Sequence, residues 1–280
     1  IDIDVIAERW RFLLVVTLAL IASLSFLGVD DGTGNRAWIR FGSIGIQPAE
    51  IVKIFYIIII ARFLTHFRRT RGISHPVSIG ATTLVFAVYF VLIVAISKDL
   101  GSALVYLFIF GVMLYAGGVK LRWFAAAGAA LAVAAPLAWN FFLTSRQKAR
   151  IIAPYAPELV DPTGLGITYQ PNRSKMALAS GQLFGTGLNQ GPQTQAGGIP
   201  KQHTDFIFAI CCESFGMVGA MGLVIAYALL LLRLMYLANS VDSKFGSYAI
   251  MGVMAMFLFH IVENICMVIG LTPVTGIPLL

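Results

Sequence analysis

The segment His203-Thr204-Asp205-Phe206-Ile207-Phe208 puts a carboxylate at the start of an apolar run. With Thr204 as N-cap, Asp205 would oppose the positive end of a helix dipole. At a water–lipid boundary the same carboxylate can take a proton from a hydroxyl. The two roles are compatible, because a capping position also fixes the direction of the carboxylate. Glu213 follows two turns further along the same run, beside Cys212. A charged side chain at a bilayer centre costs roughly 2.5–3.5 kcal/mol on the insertion scale. Glu213 must therefore face the protein interior or a wet cavity, as an interhelical partner or as a lining group. Glu50 and Lys53 are spaced to share a helical face, as a local ion pair or with Lys53 as a cation near a phosphate. Asp99, after Lys98, is placed to cap the helix that follows it.

Weaker signals surround these. Arg146, Lys148, Arg150, Arg173, Lys175 and Lys201 crowd one polar segment. They read as a solvated rim or as recognition of an anionic head group such as a diphosphate. Ser180-Gly181-Gln182-Leu183-Phe184-Gly185-Thr186-Gly187 is not a P-loop, since no strand precedes it and no Lys-Ser/Thr closes it. Its glycines permit tight backbone beside a membrane surface. His260, Glu263 and Asn264 fall within one apolar run and read as polar contacts between helices. No His/Cys cluster has zinc spacing, so no protein metal site is predicted.

The elements that must hold these groups are membrane helices. The chain has 280 residues, 58% apolar and 12% charged, with a mean hydropathy of +0.84. Soluble domains carry about 25% charge, so a soluble globule, a disordered chain and a collagen-like rod are excluded. The net charge of +7 reads as topology-setting loop charge facing anionic lipid rather than nucleic acid. Cys211, Cys212 and Cys266 lie in apolar stretches and indicate no disulfide framework. A chain that begins at Ile1 and stops soon after Pro278 reads as a fragment cut at both ends. The fold class is all-α, a polytopic transmembrane bundle in a single domain spanning 1–280. At about 20 residues per crossing, seven spans are expected: 12–28, 50–66, 79–97, 101–117, 122–143, 205–236 and 248–271. The run from 205 exceeds what a bilayer needs and is expected to tilt or project. A long loop, 144–204, interrupts the series.

Arg62, Arg68, Arg69, Arg71, Lys120, Arg122, Arg233 and Lys244 follow even-numbered spans, and Arg9 and Arg11 precede the first. Simple alternation puts them all on one side, which the positive-inside rule makes cytoplasmic. Residues 29–49, the Lys98-Asp99 reversal and 144–204 then lie outside.

Five ordered motifs carry a resemblance across essentially the whole chain. They are Asn35-Arg36-Ala37-Trp38-Ile39 with Ile46-Gln47-Pro48-Ala49-Glu50 and Lys53; Asp99-Leu100-Gly101-Ser102-Ala103; and Gly181 to Gly187. The fourth runs from Pro200 through His203-Thr204-Asp205-Phe206-Ile207-Phe208-Ala209 to Glu213 and Gly216. The fifth joins Asn264, Met267 and Gly270 to Pro273-Val274-Thr275-Gly276-Ile277-Pro278. Together they resemble the SEDS family (shape, elongation, division and sporulation) typified by RodA and FtsW. Lys98 stands where that family usually has Pro, and Ser214 replaces the second Glu of its usual pair.

The resemblance implies about ten transmembrane helices, of which this chain would supply the third to the ninth, in a bacterial cytoplasmic membrane with the active face outward. It implies polymerisation of lipid II into glycan strands for elongation, division or sporulation, with a class B penicillin-binding transpeptidase as partner. Asp205 matches the family's essential Asp and is the implied catalytic base. Arg36, Lys53, Glu50, Gln47, His203, Thr204, Glu213 and Asp99 fall in or beside matched motifs and are the implied substrate-binding groups. A divalent ion, Mg or Mn, is a candidate to share the diphosphate charge. Two other classes remain open: a lipid II flippase, lined by Glu213, Lys53 and Glu263, and a non-catalytic scaffold for a transpeptidase.

Overall fold

The computed structural model describes residues 8–29, 35–42, 44–198 and 204–279. The helices are α1 (Trp10–Ala22, continued by Leu24–Leu27), α2 (Pro48–Thr70) and α3 (Pro76–Leu92, extended by a π turn at Ile93–Ser97). After them come α4 (Leu100–Gly117), α5 (Leu121–Leu137, with a π turn at Ala138–Phe142), α6 (Ser145–Ile152), α7 (Tyr169–Gly181), α8 (Ile207–Ser240) and α9 (Lys244–Ile269). Between α1 and α2, strands β1 (Ile39–Phe41) and β2 (Ile44–Ile46) pair antiparallel, with Ile39 opposite Ile46.

Local chemistry sets the helix boundaries. Pro48 and Pro76 occupy first helical positions, where a missing N–H costs nothing. Lys98 takes a left-handed φ of 54° in the tight reversal, and Asp99 then caps α4 by accepting from the Ser102 amide at 3.2 Å. Gly118, at φ 85°, ends that helix.

Among the described residues six helices are long and apolar enough to cross a membrane: Trp10–Leu27, Pro76–Ser97, Leu100–Gly117, Leu121–Phe142, Ile207–Ser240 and Lys244–Ile269. The expected span at 50–66 is a helix as well, but it is too charged to stand in hydrocarbon. It carries Glu50, Lys53, Arg62, Arg68 and Arg69. Eleven of its 23 residues are buried, Lys53 among them. One face of it is packed against protein, and Lys53 sits on that face beside Glu50, where a polar group can be tolerated.

The described residues form two compact units. One comprises those up to Lys120 with Leu231–Phe257, and the other Leu121–Leu230 with Leu258 onward. In the first, Tyr56, Tyr89 and Tyr106 form an aromatic centre with ring centroids 4.8–6.2 Å apart. Their polar tips are used: Tyr89 shares a 2.6 Å hydrogen bond with Thr17, and Tyr106 donates to the Ala49 carbonyl at 2.7 Å.

In the second unit the core is Ala177, Phe206, Phe208, Ala209, Cys212, Met267 and Val268. No residue of α5 is buried, which suits a helix whose surroundings are lipid. Of the segment 144–204, expected as a loop, the described part 144–198 carries helices and turns. Thr144 and Gln147 close a capping box on α6, and the Ser174 hydroxyl on α7 donates to the Val268 carbonyl at 3.0 Å.

The long run from 205 departs from expectation. Rather than tilting as one rod, α8 is broken at Gly216, whose φ of 66° and ψ of −166° lie where essentially only glycine goes. Residues 182–187 fill the break. The Thr186 and Gly187 amides donate to the Glu213 and Ser214 carbonyls, and the Met217 and Val218 amides donate to Gln182 and Leu183. The backbone groups that a broken helix frees must find partners in a membrane protein, and the glycine-rich segment supplies them. A Cβ on Gly181 would strike the Cys212 carbonyl, and one on Gly185 the Ser214 carbonyl.

Candidate active site

Asp205 lies in a turn formed by 204–206, and α8 begins at Ile207. It therefore precedes the helix instead of standing in its first turn, and Thr204 is not the residue adjoining the helix start. Phe206, fully buried in the core, anchors the turn. Asn264 on α9 pins it from the other side: its side-chain amide donates to the Asp205 carbonyl at 2.7 Å and to the Ile277 carbonyl at 2.9 Å. One buried amide thus ties the turn to the segment that follows α9. Asp205 itself is 8% exposed. A Cβ on Gly276 would sit 3.5 Å from Asp205 Oδ2, in ordinary contact, so the carboxylate borders that segment.

Glu263 joins this neighbourhood. It is buried, its Oε1 accepts from Thr275 Oγ1 at 2.7 Å, and the Asp205 carboxylate is within electrostatic reach. Its Oε2 and the Oδ1 of Asn264 are buried with no hydrogen-bond partner. Among the described residues no three His, Cys, Asp or Glu side chains converge as a metal cage. One apolar run holding Glu263 and Asn264 reads simply as interhelical polarity. Nothing in their spacing shows that the chain after Gly270 folds back onto them.

Glu213 is fully buried, and its carboxylate is saturated. Oε1 accepts from the Gln193 amide at 2.8 Å and from Ser180 Oγ at 3.1 Å. Oε2 accepts from the Thr194 amide at 3.0 Å and from Thr194 Oγ1 at 2.5 Å. Two of these donors are the amides that open the helical turn Pro192–Gln195, so Glu213 caps that turn from below. One of the four donors, the Ser180 hydroxyl, is the side chain of another helix, α7, as an interhelical contact requires; the other three belong to the Pro192–Gln195 turn.

The other unit gathers four of the expected groups. Lys53 Nζ lies 2.8 Å from both carboxylate oxygens of Glu50. Asp99 accepts at Oδ2 from Ser102 Oγ at 2.7 Å and from Gln47 Nε2 at 3.1 Å. Burial pushes the Asp99 carboxyl above the usual carboxylate range, against the lowering effect of its Ser102 hydrogen bonds. Lys53 and Glu50 are both near enough to act on Asp99 electrostatically. Arg36 is exposed, and its backbone amide donates to the Ser97 carbonyl at 3.0 Å. His203 and Lys201 lie outside the described residues.

The family model described as "Cell cycle protein", which covers FtsW, RodA and SpoVE, matches residues 1–280. The peptidoglycan glycosyltransferase MrdB of Escherichia coli K12 is 32% identical over 275 residues, 97% of this chain and 72% of that protein. Stage V sporulation protein E of Bacillus subtilis is 30% identical, covering 96% of this chain and 72% of that protein. Among solved structures, one described as the structural coordination of polymerization and crosslinking by a peptidoglycan synthase complex superposes with a TM-score of 0.77. It is 27% identical and covers 98% of this chain and 74% of that one. The Thermus thermophilus rod-shape-determining protein RodA, 24% identical, shares the fold with a TM-score of 0.66, over 99% of this chain and 71% of that one.

Proposed function

This chain belongs to the SEDS family of multi-pass membrane proteins, with FtsW, RodA and SpoVE, and from that membership we propose that it is a peptidoglycan glycosyltransferase polymerising lipid II at the outer face of the bacterial cytoplasmic membrane. The observation that carries the reading is the Asp205 turn. Its backbone is held just before an apolar helix by the buried Phe206 and by the Asn264 amide on the Asp205 carbonyl, which limits where the carboxylate can go. A general base must be fixed before the substrate arrives, and such a base contributes about 10²–10⁴ in rate.

In the reaction, the acceptor sugar's hydroxyl oxygen bonds to the anomeric carbon of the donor. Asp205 takes the hydroxyl proton as the bond from that carbon to the phosphate oxygen breaks, and the lipid diphosphate leaves with the bonding pair. Cations must meet that developing charge. The family resemblance alone offers Lys53 and Arg36, in matched motifs, as candidate cations; within their own unit Glu50 holds Lys53 at 2.8 Å and Gln47 donates to Asp99. His203 and Thr204, which precede the base in the matched motif, are assigned to the sugars. Glu213 acts at one remove, through the loop that it holds. A hard divalent cation such as Mg or Mn takes one or two carboxylates plus substrate phosphates. Glu263 Oε2 and Asn264 Oδ1, both without a hydrogen-bond partner, are oxygens of the type that would hold such an ion, which would supply charge neutralisation at the diphosphate and leave Asp205 as the base. A class B penicillin-binding transpeptidase is the proposed partner, by analogy with the synthase complex that shares this fold.

The test is polymer synthesis from labelled lipid II by the full-length protein reconstituted with its transpeptidase. Asp205→Asn is expected to lower the rate by about 10²–10⁴ while the protein stays folded. Wild-type polymerisation by that variant overturns the assignment. Polymer lost with lipid scrambling retained separates transport from synthesis. No polymer from any form of the complex points to a scaffold.

A further inference from the structure

A second cationic site lies in the same unit as Asp205. A cavity of about 40 Å³ is bounded by Arg150 from α6, Asn172 and Lys175 from α7, Thr168 from the turn before α7, and Gly270, Thr272 and Val274 after α9. Two cations from separate helices meet on it. The place of Lys175 is made by a glycine: a Cβ on Gly270, which has φ 87°, would collide with the Lys175 side chain. Thr272 Oγ1, on the wall, is buried without a hydrogen-bond partner. The nearby acid is already engaged. Asp161 Oδ2 accepts from the Thr168 amide and hydroxyl and from the Gly166 amide. Asp161 is not on the wall, whose charged groups are the two cations Arg150 and Lys175.

The cavity has room for more than a single water, and two cations with an unpartnered hydroxyl on its wall suit a phosphoryl group, which takes charge-assisted hydrogen bonds from such donors. Location narrows its source. Val274 lines the cavity, and Gly276, two residues on, meets the Asp205 carboxylate. Two residues span at most about 7 Å, within the reach of a sugar diphosphate whose anomeric carbon is at the base.

We propose that Arg150 and Lys175, with Thr272, form a phosphoryl-binding subsite for the diphosphate of the lipid-linked substrate. The inference rests on the glycosyltransferase reading above. Lys175 also stands at the carboxyl end of α9, where a cation is favourable, so the site is pre-formed before an anion enters.

The experiment uses the full-length protein with its transpeptidase in liposomes. Arg150→Gln and Lys175→Gln are each expected to raise the KM for lipid II about tenfold, the loss typical of one charge-assisted contact, with kcat changed much less. Arg150→Lys, which keeps the charge, is expected to restore most of the affinity. Lys120→Gln, a like change elsewhere, leaves KM as in wild type. Inorganic pyrophosphate is expected to inhibit wild type competitively and both Gln variants more weakly. Inhibition by inorganic phosphate alone, with KM for lipid II unaltered in the variants, would assign the cavity to free phosphate and overturn the proposal. KM unaltered without any such inhibition overturns it too. A wild type that makes no polymer fails the functional reading instead. Circular dichroism melting of each variant separates lost charge from lost fold, and Lys175→Met, of similar bulk, replaces Lys175→Gln if the latter melts early.

Discussion

Asn264 donates its side-chain amide to the Asp205 carbonyl at 2.7 Å and to the Ile277 carbonyl at 2.9 Å, so one fully buried group fastens two chain segments together. Replacing it by Leu removes both donors and strands two carbonyls, at about 1–3 kcal/mol each. Asn264→Leu is therefore expected to lower the melting temperature and to cost more in kcat than in KM, because the base loses its aim before the substrate loses its seat. Steady-state polymerisation with melting curves checks this. Unchanged kcat in a folded variant would show that the clamp does not position Asp205.

Glu213 with Thr194 gives the second prediction. Four donors fill the Glu213 carboxylate, and Glu213→Ala leaves two backbone amides of the Pro192–Gln195 turn without partners. A loss of about 3 kcal/mol is expected, in the range for breaking a buried charged network, with faster proteolysis within 190–198. Thr194→Val, which keeps its amide bond, is expected to cost about 1–2 kcal/mol. Equal proteolysis rates for wild type and Glu213→Ala would mean that the loop is held by other contacts.

Much of this was legible in the sequence, and the failures have particular causes. The apolar runs marked the helices to within a few residues, because length and hydropathy decide crossing. Asp99 was readable as a cap because the signal, an acid three residues before its amide partner, is local. Glu213 was not, since its donors lie on the Pro192–Gln195 turn and on Ser180, brought there only by the fold. The apolar run at 50–66 did announce α2, although its charged residues set it apart from the six helices apolar enough to cross a membrane; Lys53 is buried there against Glu50.

Gly216 shows the same limit from the other side. The run through α8 has no proline, and each of its three glycines, Gly216, Gly219 and Gly222, costs only about 1 kcal/mol in a helix, so nothing local singled out Gly216 as a break. Gly216→Ala is expected to be among the most damaging single changes in the chain. Its φ and ψ admit essentially only glycine, at about 1–3 kcal/mol of strain, and its Cβ would meet the Gly185 amide and the Leu183 carbonyl. Little folded protein should be recovered from membranes. A stable, active Gly216→Ala variant would mean that α8 runs unbroken.

Asp161 supplies the pH prediction. Its hydrogen bonds with Thr168, Thr163 and Gly166 hold the carboxyl down at about 2, against an ordinary value of 3.8. A depressed carboxyl stabilises the fold above its unfolded value, and the stabilisation is lost as pH falls through the folded value. The 161–168 turn should therefore be equally protected from neutral pH down to about 4 and loosen between about 4 and 2. Amide exchange at Gly166 and Thr168, corrected for intrinsic rates, reads this directly. Asp161→Asn removes the titrating group, so its exchange should be faster at neutral pH and flat across the same window. A wild-type turn still protected at pH 2, or a variant that keeps the transition, would show that another group controls it. Because Thr168 is also a wall of the Arg150–Lys175 cavity, loosening this turn should weaken competition by pyrophosphate in the variant at neutral pH while leaving the Asp205 turn, pinned through Asn264, in place.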